Sequence, residues 1–207
     1  MRQGTVHLFV FYGMADWEAA YAIAGINNPR FQNEPGRYRV ATVAAGRHSI
    51  ITAGGLRIQP DLDLSDVTPE TSCMLILPGG EAWENVGNTA ALNKARDFVS
   101  TGVPVAAICG ATLGLAHAGL LDDRRHTSNA REYLAQSGYR GGSLYCDVPA
   151  ITDDNVITAS GIAPVDFARE IFKELDLYDS SALESWYALF KHGNSAKYYE
   201  LAHQLAS

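Results

Sequence analysis

Val103-Pro104-Val105-Ala106-Ala107-Ile108-Cys109-Gly110-Ala111-Thr112-Leu113-Gly114-Leu115-Ala116 is the stretch whose reading decides the fold. An apolar run ends at Ile108, and an Ala/Leu/Gly helical pattern begins at once after Cys109. The neighbours Ala107, Gly110, Ala111 and Gly114 are small. A nucleophile elbow needs this, because its strand-to-helix reversal is too tight for large side chains. The turn lifts the sulfur to the carboxyl end of a sheet. It also sets the sulfur at a helix N-terminus, where the dipole and free N–H groups favour a thiolate. A buried structural cysteine, acting as a small core hydrophobe, is the other reading of this stretch.

Outward from the elbow, strand-like apolar runs alternate with helical patterns. That alternation predicts an α/β fold around a mostly parallel sheet. Strands are expected at residues 6–12, 38–44, 74–77, 103–108 and 156–159. Helices are expected at 16–26, 89–100, from Cys109 to near Gly119, and at 165–175. Residues 49–53 and 56–60, joined by Gly54-Gly55, read as a hairpin. Past the elbow helix the pattern is less regular. Residues 125–128 read as a short strand, 131–136 as a helix, and 144–148 and 150–152 as extended. From Ser181 to Leu205 one or two amphipathic helices are expected, broken at His192-Gly193-Asn194. Aromatics at helical spacing there, such as Trp186 and Phe190, read as packing. No repeat or linker interrupts the chain, so one domain over 1–207 is expected, with 177–207 as a helical C-terminal extension.

Composition narrows the function. The 47% hydrophobic and 19% charged content is that of a globular chain. A net charge of -7 with no basic cluster argues against nucleic acid. No apolar run approaches the roughly 20 residues of a membrane span, and no signal-peptide pattern opens the chain, so a cytoplasmic location is expected. Cys73, Cys109 and Cys146 are widely spaced, which suits reduced thiols and not a disulfide scaffold or a zinc site. No metal or cofactor is implied.

Ligands of an open parallel sheet meet the carboxyl ends of its strands. Glu18 follows the first strand and is expected in the first turn of the next helix, within reach of the elbow as a proton acceptor or general acid; a solvated first-turn acid is the plainer reading. Pro78-Gly79-Gly80 ends the strand that holds Cys73. The amides of Gly80 and Gly110 are candidate oxyanion donors. Of the six histidines, His126 is the best-placed base candidate, near the carboxyl edge, though a structural role suits it as well. His117 lies two turns past the sulfur. Cys73 reads as core, and Cys146 as structural or as a resolving thiol.

The set Tyr12-Gly13…Glu18, Leu77-Pro78-Gly79-Gly80, Ala107-Ile108-Cys109-Gly110-Ala111, Ala118-Gly119-Leu120-Leu121 and Ile157-Thr158-Ala159-Ser160-Gly161 resembles the ThiJ/PfpI superfamily (the DJ-one group), over residues 5–176. The resemblance implies a flavodoxin-like three-layer α/β/α sandwich related to class I glutamine amidotransferases, and a homodimer. It implies Cys109 as the reactive thiol, Glu18 as the carboxylate bonded to it, and amides offered by Gly80 and Gly110. The superfamily includes peptidases or amidases, glyoxalase-like and deglycase-like enzymes, isonitrile hydratases, chaperones and oxidative-stress sensors. Peptidase-like members have His directly after the nucleophile, where this chain has Gly110. Other members place a His where this chain has Asn129, with His126 three residues earlier and facing the other way. The late His-x-Glu triplet of glutaminase domains is absent. The variant motifs resemble a bacterial subgroup described as intracellular-protease-like or amidotransferase-like.

Three functions follow as expectations. The first is an enzyme that uses Cys109 on a small electrophile (a carbonyl, an isonitrile or an amide), with Glu18 as proton shuttle and Gly80 and Gly110 as anion donors. The second is a stress sensor that works through Cys109 oxidation. The third is a ligand-binding module that has kept the pocket and lost the chemistry.

Overall fold

The computed structural model describes residues 3–85 and 87–204. Its centre is a seven-stranded sheet of order β5-β2-β1-β6-β7-β9-β8. The strands are β1 (Gly4–Phe9), β2 (Tyr38–Ala44), β5 (Leu62–Asp63), β6 (Met74–Leu77), β7 (Val105–Ile108), β8 (Ala150–Asp153) and β9 (Val156–Ala159). Every pairing is parallel except that of β8 with β9. Every residue of β6, β7 and β9 is buried. Strands covered on both faces have no polar side to alternate with, hence Met-Leu-Ile-Leu and Val-Ala-Ala-Ile. Asp154, at φ 51°, turns β8 back onto β9 as a tight hairpin turn requires.

Helices flank the sheet in the three-layer, flavodoxin-like arrangement. They are α1 (Ala20–Asn27), α2 (Thr89–Ser100), α3 (Gly110–His117), α4 (Arg131–Ala135), α5 (Pro164–Glu174), α6 (Ser180–His192) and α7 (Ala196–Gln204). α1 packs on α5, α6 on α5 and α7 on α6, while α2 and α3 pack on the central strands and α4 on α3. Pro164 and Asp166 open α5 and Lys173 lies in its last turn, as the dipole favours. Buried Asp166 receives hydrogen bonds from Tyr187 (2.7 Å) and Lys191 (2.6 Å), which ties α6 to α5. Gly193, at φ 64°, ends α6 where the sequence predicts the break. Two short strands, β3 (Ile50–Ile51) and β4 (Arg57–Ile58), form the expected hairpin outside the main sheet.

Three local expectations are corrected. The helix expected from residue 16 begins at Ala20, after a run of turns. Asp16 does not cap it; its carboxylate accepts the Gly54 N–H of the hairpin at 2.6 Å. The strand expected at 125–128 is a single bridge, His126 to Tyr145. Leu144, expected to open an extended stretch, instead ends a 3-10 turn over Gly141–Leu144. Among the described residues no helix is long and apolar enough to cross a membrane.

Candidate active site

Four neighbouring strands of the sheet, β1, β6, β7 and β9, deliver the site from their carboxyl ends. Glu18 follows β1, Gly79 and Gly80 follow β6, Cys109 follows β7, and Gly161 follows β9. Asn129 enters from the loop between α3 and α4. The parallel ladder continues one residue past β7, since the Cys109 N–H donates to Ala159 O at 3.0 Å. Cys109 then turns to φ 58°, ψ −125° and becomes the N-cap of α3. A non-glycine residue is strained there, and such strain persists only where the surroundings over-determine it. Here the Cys109 carbonyl accepts from both the Thr112 N–H (3.1 Å) and the Thr112 hydroxyl (2.6 Å), and that hydroxyl also bonds the buried Ser128 hydroxyl (2.6 Å).

Two glycines give the sulfur its room. A Cβ on Gly79 would stand 2.6 Å from Cys109 Cβ and 2.7 Å from Glu18 Oε2. One on Gly161 would stand 2.8 Å from Cys109 Sγ. The Asn129 amide links two of these parts: its Nδ2 donates to Cys109 Sγ at 3.3 Å, and its Oδ1 accepts the Gly161 N–H at 2.9 Å. The Gly110 N–H lies near the sulfur and favours its charged form. Among the described residues the Gly80 N–H meets no acceptor, and Gly80 and Gly110 lie side by side on the wall of the cleft.

Glu18 is 1% exposed. Its Oε2 accepts the Gly79 N–H at 2.5 Å. Its Oε1 has no partner of normal hydrogen-bond geometry, and the Cys109 thiol is the polar group beside the carboxyl. Burial raises the acid from 4.5 to about 7, against the lowering pull of the Gly79 N–H and the thiol. With Glu18 ionised, burial and that neighbouring charge push the thiol up to about 11, while Asn129 and Gly110 pull it down. The two groups titrate as a unit that goes from two protons to one through about pH 7.

The cleft over the sulfur has a volume of about 620 Å³ and is lined by Tyr12, Trp17, Glu18, Gly80, Glu81, Glu84, Cys109, Gly110, Asn129 and Tyr133, among others. Of the residues singled out in the sequence, Cys109, Glu18, Gly80, Gly110 and Asn129 meet here. His126 does not. It is fully buried, with Nδ1 at Arg124 O (2.8 Å), Nε2 at the Tyr139 hydroxyl (2.9 Å) and its ring edge-on to Tyr139 and Tyr145. Burial lowers its basicity, and its ring belongs to the packing under α4. Cys73 and Cys146 also lie outside the cleft lining. Sequence reasoning missed Gly161 as a steric partner of the sulfur, and Trp17, Tyr133 and Glu84 as cleft walls. Only the motif ending in Gly161 carried a signal. Among the described residues no group of three or more His, Cys, Asp or Glu side chains is placed to hold a metal.

A flavodoxin-like sheet with an inner strand that ends in an elbow cysteine, faced by a buried glutamate that follows the first strand, defines a class. The chain belongs to the DJ-1/PfpI family, whose model matches residues 4–174. It is 42% identical over 204 residues to the uncharacterized protease YoaZ of Bacillus subtilis, covering 97% of each chain. The crystal structure of a thiJ/pfpI family protein from Bacillus anthracis superposes with a TM-score of 0.92 at 41% identity, covering 98% of this chain and 97% of that one. The deglycase PH1704 of Pyrococcus horikoshii is 33% identical over 114 residues, 55% of this chain and 68% of its own.

Proposed function

We propose that the chain is a cysteine-dependent enzyme that acts on a small carbonyl compound. The observation that carries this reading is the free Gly80 N–H beside the Gly110 N–H in the cleft wall, next to a sulfur that is itself beside a buried carboxylate of near-neutral acidity. Sulfur attacks the carbonyl carbon and a carbon–sulfur bond forms. The C=O π pair moves to oxygen, where the two amides stabilise the developing charge. The thiol proton passes to Glu18 and from there to that oxygen, leaving a neutral hemithioacetal. Glu18 then remains the one positioned group in the cleft for further proton transfers on the adduct. The deglycase name of the Pyrococcus relative supports a carbonyl-derived substrate.

Amide hydrolysis fits less well. It requires protonation of a leaving amine, and with no histidine among the described residues lining the cleft that task falls to Glu18 as well. The expected setting remains a small-molecule substrate, a homodimer and the cytoplasm.

The test is consumption of a neutral 2-oxoaldehyde such as methylglyoxal, followed by NMR. Wild type turns it over. Cys109→Ser and Glu18→Gln each lose activity by about a hundredfold or more, the scale of a lost nucleophile or general base. The rate rises with pH through about 7, as the pair gives up its first proton. Turnover that survives Cys109→Ser would remove the proposal.

A further inference from the structure

The cleft wall is one-sided in charge. Besides Glu18 it carries the carboxylates of Glu81 and Glu84, and among the described residues no Lys, Arg or His lines it. Among the described residues neither Glu81 nor Glu84 is in an ion pair. The Glu84 carboxylate accepts from the Tyr133 hydroxyl at 3.4 Å. Three aromatic side chains line the same cleft. Tyr12 is 76% and Trp17 56% exposed, and Tyr133 is half-buried. None of the three stacks on another described ring or carries a described cation, although five other rings of the chain do carry an arginine. At the floor, Glu18 Oε1 is buried with the Cys109 thiol as the polar group beside the carboxyl. Carboxylates without cationic partners and unstacked aromatic rings around one cavity suit a cation: the acids supply charge, and the rings supply quadrupole attraction.

We propose that this cleft selects a small carbonyl compound bearing a cationic group, an ammonium, quaternary ammonium or guanidinium, that lies among Tyr12, Trp17, Tyr133, Glu81 and Glu84 while the carbonyl reaches Cys109. The selection rests on the carbonyl reading of Cys109 and Glu18 given above. It excludes carboxylates and phosphate esters as good substrates, because no donor cation meets them and the wall repels them. Anionic carbonyl compounds such as glyoxylate should therefore enter poorly despite their reactive aldehyde.

The test separates charge selection from turnover. Two methanethiosulfonates of the same reacting group, one ending in trimethylammonium and one in sulfonate, modify Cys109 in the full chain. Each forms a mixed disulfide and releases methanesulfinate. Rates are read at Cys109 by peptide mass spectrometry and divided by those of a free small thiol. The cationic reagent is expected to gain about tenfold or more over the anionic one, the low end of electrostatic focusing in a cleft. The gain should shrink severalfold in Glu81→Gln/Glu84→Gln and in Trp17→Leu. A normalised ratio near one would overturn the proposal. So would a gain that persists in the Gln pair, since the overall charge of -7 would then be its source. In a second arm, kcat/KM for trimethylammonioacetaldehyde is expected to exceed that for glyoxylate by a similar factor, and equal values would overturn the selection. If the cationic reagent is preferred at Cys109 but no aldehyde is consumed, the charge selection stands and the carbonyl reading falls.

Discussion

Glu18→Gln isolates the electrostatics of the site without relying on turnover. The carboxyl is 1% exposed, and burial raises its pKa from 4.5 to about 7. The folded state therefore holds this proton more tightly than the unfolded chain does. Stability from the group is complete below about pH 4.5 and is lost as pH rises through about 7. Above that, both states are ionised and the buried charge costs about 3 kcal/mol, the energy equivalent of the shift. Glutamine keeps the shape, carries no charge and still offers the Gly79 N–H an oxygen. Thermal melts of wild type and variant should then coincide at about pH 4.5 and separate at about pH 8, where the Gln chain melts roughly 6–12 °C higher. A gap of the same size at both pH values would assign the effect to packing. No gap at either would show that Glu18 is not a strained charge, and the reasoning about the pair would fail.

Asn129→Ala removes a donor from Cys109 Sγ, and the position is exposed, so alkylation at neutral pH should slow a fewfold while stability changes by about 0.5 kcal/mol or less. Unchanged alkylation would mean that the 3.3 Å contact has no electrostatic effect. Gly161→Ala drives a methyl to 2.8 Å from the sulfur; roughly tenfold lower thiol reactivity and a loss of about 1–3 kcal/mol are expected from alkylation rates and denaturant melts. His126→Phe strands the Tyr139 hydroxyl and the Arg124 carbonyl, which costs about 1–3 kcal/mol in the same melts. Its Cys109 alkylation rate should match wild type, and a large drop would return His126 to the site.

The elbow was legible because its requirements are local: small residues, an apolar strand and a helix pattern within fourteen positions. The strand order that brings Glu18, Gly80, Cys109 and Gly161 together follows from parallel α/β topology, which the alternation of patterns carries. What was lost depends on contacts distant in sequence. Asp16 stands where the predicted helix starts, yet it binds Gly54 across 38 positions, and Glu18 is left in a turn before the helix. His126 looks like part of a strand, yet it makes one bridge, because a 3-10 turn occupies the segment before its partner Tyr145. β5 pairs with only two residues of β2 at the sheet edge, too few to leave a periodic signal. Tyr133 reads as an ordinary helical residue, and only the packing of α4 on α3 turns it into the cleft.

The central claim is that Cys109 adds to a carbonyl while Glu18 takes the proton. Carbon-13 NMR of the full chain with a carbonyl-labelled 2-oxoaldehyde tests it directly. The account predicts a protein-bound tetrahedral carbon signal in wild type that is absent in Cys109→Ser and forms more slowly in Glu18→Gln. A signal of equal size in Cys109→Ser, or none in wild type, would contradict it.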